Sequence, residues 1–505
     1  MNWAITRNNR PVERSKIPGL TPGQLREETI KAGQAGKRVT AFFGVPPLPG
    51  EEAEGWRLYV VMADDERSEL WITSALFKQE QNYLSLTPEC PAFHKFEREF
   101  YETTGIEPLG HPWLKPVRYD HNRFDARQIM ENYPFYTMEG EEVHEVAVGP
   151  VHAGIIEPGH FRFMCHGERV HHLEIQLGYQ HRGVEALLLP WRYPGRPSFN
   201  IHLAESIAGD TVIAHATAYI QAVEALARTE ISLHAEVIRA VVLEMERIAV
   251  HIGDLGAIAN DIAYMTGQAV CGATRTIVIN TLLSICGSRF GRGMIRPGGT
   301  AFDFNAPLIE KIKTNLAEAR RRVVQMAETM FSSPGVLARL EKTGTLSKET
   351  ARSIGIVGMA ARASGVSLDI RADHPTGAYK IFPVHKFCLE SGDVFSRAYI
   401  RYLEILKSID IIRDLLENIP AGPVITPVPP VLEKDLLVVS MVEGWRGQIL
   451  HALLSNRAGE ICWCKVIDPS FHNWYGLAQA VRENGVSDFP LVNKSFNLSY
   501  CGNDL

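Results

Sequence analysis

Apolar residues recur along this chain with two different periods. β-Branched and aromatic runs at 38–45, 56–63 and 70–76, separated by loop signals such as PPLPG at 46–50, predict strands. At residue 89 the spacing changes: Phe93, Phe96, Phe100 and Tyr101 fall three and four apart, which predicts a helix over 89–103 that Gly105 stops. A small domain over 36–119 is therefore expected, preceded by a polar, Pro-punctuated tail at 1–35. An aperiodic stretch rich in Asn, Tyr and Glu follows at 120–146 and reads as a linker. In the remainder, 147–505, helical spacing dominates. Ile238, Val241, Val242, Met245, Ile248, Ile252 and Leu255 predict a long core helix, and similar patterns cover 204–228, 275–289, 308–331 and 394–416. The expected fold class is α+β, a small N-terminal α+β domain and a large, mainly helical domain with peripheral strands.

Composition narrows the function classes. The 505 residues suffice for two or three domains, and 45% apolar and 22% charged residues are ordinary for a globular protein. A formal charge of −6 supplies no polycationic surface, so nucleic acid is not an expected partner. The N-terminus MNWAITRNNRPVERSK has no apolar core for a signal peptide, and no apolar run is read as reaching the roughly 18 residues that span a bilayer. The expected location is cytoplasmic, with any membrane link made through partners. The eight cysteines contain no CxxC, and the pair Cys462 and Cys464 reads as strand packing. GSRFGRG at 287–293 continues a helical pattern and lacks a following Lys-Ser/Thr, so a phosphate role is weak.

Two stretches carry candidate chemistry. Six of the 18 histidines lie between His152 and His181, with Glu157 and Glu185 among them, a density of titratable groups that suits proton transfer. The stretch 203–215, LAESIAGDTVIAH, opens the next helical pattern and places Asp210 in an apolar setting.

Particular words in these stretches resemble known proteins. GPVH at 149–152, EPGHFR at 157–162, HRGVE at 181–185, RPGG at 296–299, SGVSLDIR at 364–371, EGWRG at 443–447 and KVIDPSFHNW at 465–474 resemble the large subunit of energy-converting NiFe hydrogenases of the formate hydrogenlyase and hydrogenase-4 kind. Through it they resemble the quinone-site (49 kDa-type) subunit of complex I. PECPAFHKFEREFYETTGIEPLGHPWLK at 88–115 resembles the small hydrophilic (30 kDa-type) subunit often fused to that neighbour, with Glu102, Thr104 and Trp113 departing from its pattern. Its expected role is docking.

The resemblance implies a site and also its loss. Counted from the shared His215 and Tyr219, the first cysteine pair of the hydrogenases falls on Ala208 and Thr211, and the second falls on Ser499 and Gly502, with Cys501 out of register. A nickel–iron centre needs four soft thiolates, so none is expected here and no cofactor is expected on this chain. The quinone-binding tyrosine of complex I falls near Gly209. His152 matches the first histidine of the complex I hairpin and His160 that of the hydrogenase form. Glu157 falls on the proton-passing glutamate, Arg446 on the arginine over the active site, and Asp261 near an acidic position of the quinone pocket. His181, Arg182 and Glu185 match the HRGxE element. The resemblance implies a subunit of a complex I-like oxidoreductase, peripheral on the inner membrane, with an iron–sulfur subunit, a ferredoxin-like subunit and antiporter-like membrane proteins as partners. It would couple electron transfer to proton or sodium movement, with a quinone-like headgroup as its conceivable ligand. A structural and coupling subunit without redox chemistry is the alternative.

Overall fold

The computed structural model describes residues 2–48, 54–78, 81–152, 154, 156–189 and 200–505; Pro49 and Gly50 of the expected 46–50 loop lie outside them. The three expected N-terminal strands form as β4 (Arg38–Val45), β5 (Trp56–Asp64) and β6 (Glu69–Phe77), an antiparallel meander. The stretch 1–35 is not a tail. It contributes β1 (Ala4–Thr6), antiparallel to β6, then β2 (Val12–Glu13), then β3 (Gly19–Leu20), parallel to β6, and helix α1 (Pro22–Gln34). Thr21 and Gln24 form a reciprocal capping box at the start of α1. Helix α2 (His94–Thr104) packs Phe100 against Phe42 and Phe77, and Gly105, at φ +76°, ends it in the left-handed conformation.

The large domain begins with the hairpin sheet β7 (Val143–Val148), β8 (His160–His166) and β9 (Arg169–Gln176), ordered β9-β8-β7. The strand β7 thus takes the last residues of the expected linker, and Tyr133 within that stretch is buried with its hydroxyl donating to Glu174 at 3.2 Å. Helices α3 (Val212–Leu226), α4 (Leu233–Asp261), α5 (Met265–Cys286), α6 (Ala306–Ser332) and α7 (Val394–Glu417) follow. At 29 residues α4 is about 44 Å long. It is the central rod, crossing α5 where Gly256 faces Cys271, so closely that a Cβ at Gly256 would stand 2.8 Å from the Cys271 Cβ. The expected helix over 204–228 is broken: a short helix Ile201–Ala204 is followed by turns, and α3 starts only at Val212. Likewise α5 stops at Cys286, because Gly287 turns left-handed at φ +75°, and the 287–293 stretch is turn. By length and composition α5 is apolar enough to cross a membrane, which corrects the reading that no such segment exists. It packs along α4 as a bundle helix.

A last sheet, ordered β12-β11-β10-β2, joins both halves: β10 (Leu436–Glu443), β11 (Gln448–Ser455) and β12 (Ile461–Ile467). Every residue of β10 is buried, as expected of a strand covered on both faces. The two-residue side-chain period then partitions the core. Leu436, Val438 and Val442 join the helical core, whereas Leu437, Val439 and Met441 join the core of the N-terminal domain. The chain closes with α8 (Pro469–Val481), α9 (Phe489–Phe496) and α10 (Tyr500–Asp504).

The N-terminal segment is fastened to β10 by Asn8, whose amide donates to His374 O and Met441 O and accepts from Met441 N, at 2.9, 2.9 and 2.8 Å. Asn8→Ala leaves three buried backbone groups short of a partner. It is expected to cost about 1–3 kcal/mol and to expose residues 2–20 to limited proteolysis; unchanged cleavage and melting would show that the pairings of β1, β2 and β3 hold the segment without Asn8.

Candidate functional site: an arginine–aspartate clamp

The turn between β10 and β11 aims Arg446. Gly444 and Gly447 exchange both backbone hydrogen bonds, at 2.8 and 3.1 Å, and Arg247 on α4 donates to Glu443 O and Gly444 O at 2.6 and 3.1 Å. Gly358 lies so near that an added Cβ would stand 2.1 Å from Arg446 O, and its φ of +68° suits only glycine comfortably. From this turn the guanidinium reaches Asp210 in a two-pronged pair, both N–O distances 2.7 Å, and its Nε donates to Asn497 O at 2.5 Å. Its Nη1 also donates to Thr211 Oγ1, and Trp445 Nε1 donates to Asp210 O and Thr211 Oγ1, at 3.2, 3.0 and 3.2 Å. Burial works against the Arg446 charge, but Asp210 beside it more than offsets this and holds it protonated. The Arg446 side chain is 4% exposed and that of Asp210 38%, so the pair sits at the edge of the interior.

Arg446 therefore ties the 208–211 turn to the 497–502 segment. Arg182 makes a second tie, donating to Ser206 O, Ile207 O and, at 3.4 Å, Cys501 O. The segments expected to hold the two lost ligand pairs come together in the fold. Ala208, Thr211, Ser499 and Gly502 are all buried. Ser499 caps α10, its Oγ accepting from Gly502 N at 2.9 Å. Glu157 Oε2 lies on the backbone N–H groups of Tyr500 and Cys501, at 3.2 and 3.4 Å. Behind them Asp468 binds His215 at 3.0 Å, and His215 meets His451 at 3.2 Å.

This donor set does not fit a nickel–iron centre. The four positions offer a methyl group, two hydroxyls already engaged or capping, and a glycine whose Cβ would stand 2.7 Å from the Asp468 carboxyl carbon, so no cysteine fits at 502 without displacing Asp468. The nearby Cys501 is pushed up to about 12 by burial and by Glu157, and keeps its proton. No group of three or more His, Cys, Asp or Glu among the described residues is placed to hold a metal ion.

The other candidates fall elsewhere. His181 Nδ1 donates to Asp504 O at 2.8 Å, and Glu185 accepts from Val466 N at 2.8 Å and lies 3.1 Å from Lys465, with Asp120 and Arg118 bordering the two at 3.8 and 3.9 Å. His152 binds Gly159 O at 2.9 Å, and His160 packs its ring on Phe135. Asp261 is the last residue of α4, raised by burial against the pull of Lys494, and no contact among the described residues joins it to the clamp.

Sequence reasoning missed Glu246. From α4 its carboxylate accepts from Ile213 N and Ala214 N, at 2.6 and 3.2 Å, and so caps α3 where Thr211 supplies no side-chain cap. Burial pushes it up to about 8, with Asp210 adding to the shift. Glu443 is pushed up to about 7 by burial and Asp369. A carboxyl whose folded value exceeds its unfolded one binds more protons when folded, so the contribution of Glu246 to stability falls as pH rises from about 4.5 to about 8. Buried His94, His111, His451 and His472, lowered below 6.5, oppose it at the acid end, so melting temperature is expected to drop above about pH 6.5, and Glu246→Gln to flatten part of that slope. An equal slope in the variant would remove Glu246 from the account.

Known proteins resemble this chain along much of its length. Residues 261–437 match the family model of the respiratory-chain NADH dehydrogenase 49 Kd subunit. Formate hydrogenlyase subunit 5 of Escherichia coli is 28% identical over 475 residues, covering 89% of this chain and 82% of that one. The membrane-bound hydrogenase subunit alpha of Pyrococcus furiosus is 29% identical over 369 residues, covering 70% and 85%. In structure, a chain of the membrane-bound sulfane sulfur reductase, an archaeal respiratory membrane complex, superposes with a TM-score of 0.67 at 22% identity, covering 73% of this chain and all of that one. Residues 261–437 thus match the model of the 49 Kd subunit, and the chain is homologous to formate hydrogenlyase subunit 5, hydrogenase-4 component G, the membrane-bound hydrogenase alpha subunit and the C/D subunits of NADH-quinone oxidoreductase.

Proposed function

We propose that this chain is a peripheral-arm subunit of a membrane-bound, hydrogenase-related and complex I-like oxidoreductase, without a nickel–iron centre of its own. It takes part in coupling electron transfer from an iron–sulfur partner to proton or sodium translocation. Homology along most of the chain to subunits of membrane-bound hydrogenase-like and complex I-like assemblies supports the setting. The single observation that carries the rest is the Arg446–Asp210 clamp between the two segments where the ligand pairs would stand. In this reading the chain lies on the cytoplasmic side, held through an iron–sulfur subunit, a ferredoxin-like subunit and antiporter-like membrane proteins. Glu157, Asp210 and Arg446 are its polar machinery, able to hold a proton or a quinone-like headgroup.

One observation favours a second reading, a coupling subunit with no redox substrate. Both Asp210 oxygens are taken up by Arg446, and Arg446 by Asp210, Thr211 and Asn497. Asp210→Asn and Arg446→Ala in the assembled complex separate the two. Turnover is expected to fall at least about tenfold with assembly intact if the clamp serves the chemistry, and to stay unchanged if it is scaffold. Purification of the native assembly without any iron–sulfur protein would overturn the first reading.

A further inference from the structure

A second feature is independent of the clamp and of the function proposed above. Helix α2 of the N-terminal domain packs beside α8 of the large domain, and a cavity of about 40 Å³ lies in the seam between them. Helix α2 lines it with His94, Lys95 and Arg98, α8 with Trp474, Tyr475 and Ala478, and α10 with Asn503. One water needs roughly 10–15 Å³ and organic ligands about 300 Å³ or more, so the space admits an ion or a few waters and nothing larger.

The lining is cationic and uncompensated. It contains two buried cations, Lys95 and Arg98, and no aspartate or glutamate. At contact distance each cation meets only neutral groups. Lys95 Nζ donates to Asn503 Oδ1 at 2.5 Å and stands 4.4 Å over the Phe471 ring. Arg98 donates from Nε to Lys115 O and from Nη2 to Pro116 O, at 2.7 and 2.9 Å, and lies 4.4 Å over Trp113. Its Nη1 has no hydrogen-bond partner among the described residues and is not one of the atoms sealed from water; the same holds for His94 Nε2. The carboxylates whose fields reach Lys95 are engaged elsewhere: Glu99 by Arg118 and Lys465, and Asp504 by Gln180 N and Asn503 Nδ2. Burial, then Arg98 and Arg118, push the Lys95 ammonium well below its usual range. A buried cation without a counter-charge is costly, and one anion in this cavity supplies a counter-charge to both.

We propose that this seam cavity is a binding site for a small monovalent inorganic anion of about the size of chloride, held by Lys95 Nζ, Arg98 Nη1 and His94 Nε2. Both domains contribute wall, so an anion bound there strengthens their packing.

Sodium chloride is the probe, with sodium gluconate at equal ionic strength as the control, because gluconate carries the same charge and is too large to enter. The full chain is expected to melt at higher temperature in chloride than in gluconate, and to broaden the chloride-35 NMR line by an amount that bromide competes away and gluconate does not. Lys95→Met, which keeps the apolar stem and removes the charge, should weaken binding at least about tenfold. Ala478→Leu, which fills the cavity from α8, should abolish it. Melting curves and circular dichroism establish that the variants fold. In the unaltered chain, equal melting in the two salts together with no bromide-competed broadening would overturn the proposal, and so would unchanged broadening in either well-folded variant, since the chloride would then sit elsewhere.

Discussion

Arg446 makes contacts that no local stretch of chain could supply. Its guanidinium joins a turn 236 residues earlier in sequence to a carbonyl 51 residues later, and a glycine-bounded turn fixed by Arg247 and Gly358 sets its direction. Without it, Arg182 alone of the two arginines would still join the stretch before α3 to the 497–502 segment. An ion pair of this kind is worth less than its Coulomb energy suggests, because Asp210 is 38% exposed. Breaking it is placed at about 1–3 kcal/mol, below the figure for a fully enclosed pair. Its value is geometric: a planar fork on a carboxylate fixes both distance and orientation.

The surroundings of this anchor are unusually charged for an interior. Arg362, fully buried, binds Glu404 and Glu443, and Arg371 binds Glu244 and Asp369, while His251 meets Glu404 at 2.9 Å. These groups connect α4, α7, β10 and the 362–371 segment, so the turn that carries Arg446 is held by a network and not by apolar packing alone. Such a network specifies one arrangement when every member is satisfied. Burial pushes Glu443 in this network up to about 7, and Glu246 elsewhere on α4 up to about 8.

Much of the fold was legible because it is written in long periods. The apolar residues from Ile238 to Leu255 lie inside α4, and the runs at 38–45, 56–63 and 70–76 became β4, β5 and β6. Segments of two or three residues carry no period, which is why β1, β2 and β3 were invisible; β2 forms only because Val12 meets Leu437, more than 400 residues away. The 204–228 pattern concealed a break for a similar reason. Its apolar spacing runs through Ile207 and Ala208, but Asp210 is drawn off by Arg446 and the α3 amides are capped by Glu246, both tertiary partners. For the site, residue-by-residue resemblance singled out Glu157, Asp210, Arg182 and Arg446, which the fold does gather around the two segments. It also singled out His181 and Glu185, which the fold engages with Asp504 and Val466 instead, and Asp261, which it leaves at the end of α4.

The central claim is that a salt bridge stands where the hydrogenases hold a metal. Quantifying nickel in the intact, freshly isolated membrane complex by mass spectrometry tests it most directly. The account predicts nickel no higher than in a preparation lacking this chain; one nickel per copy of the chain would contradict it.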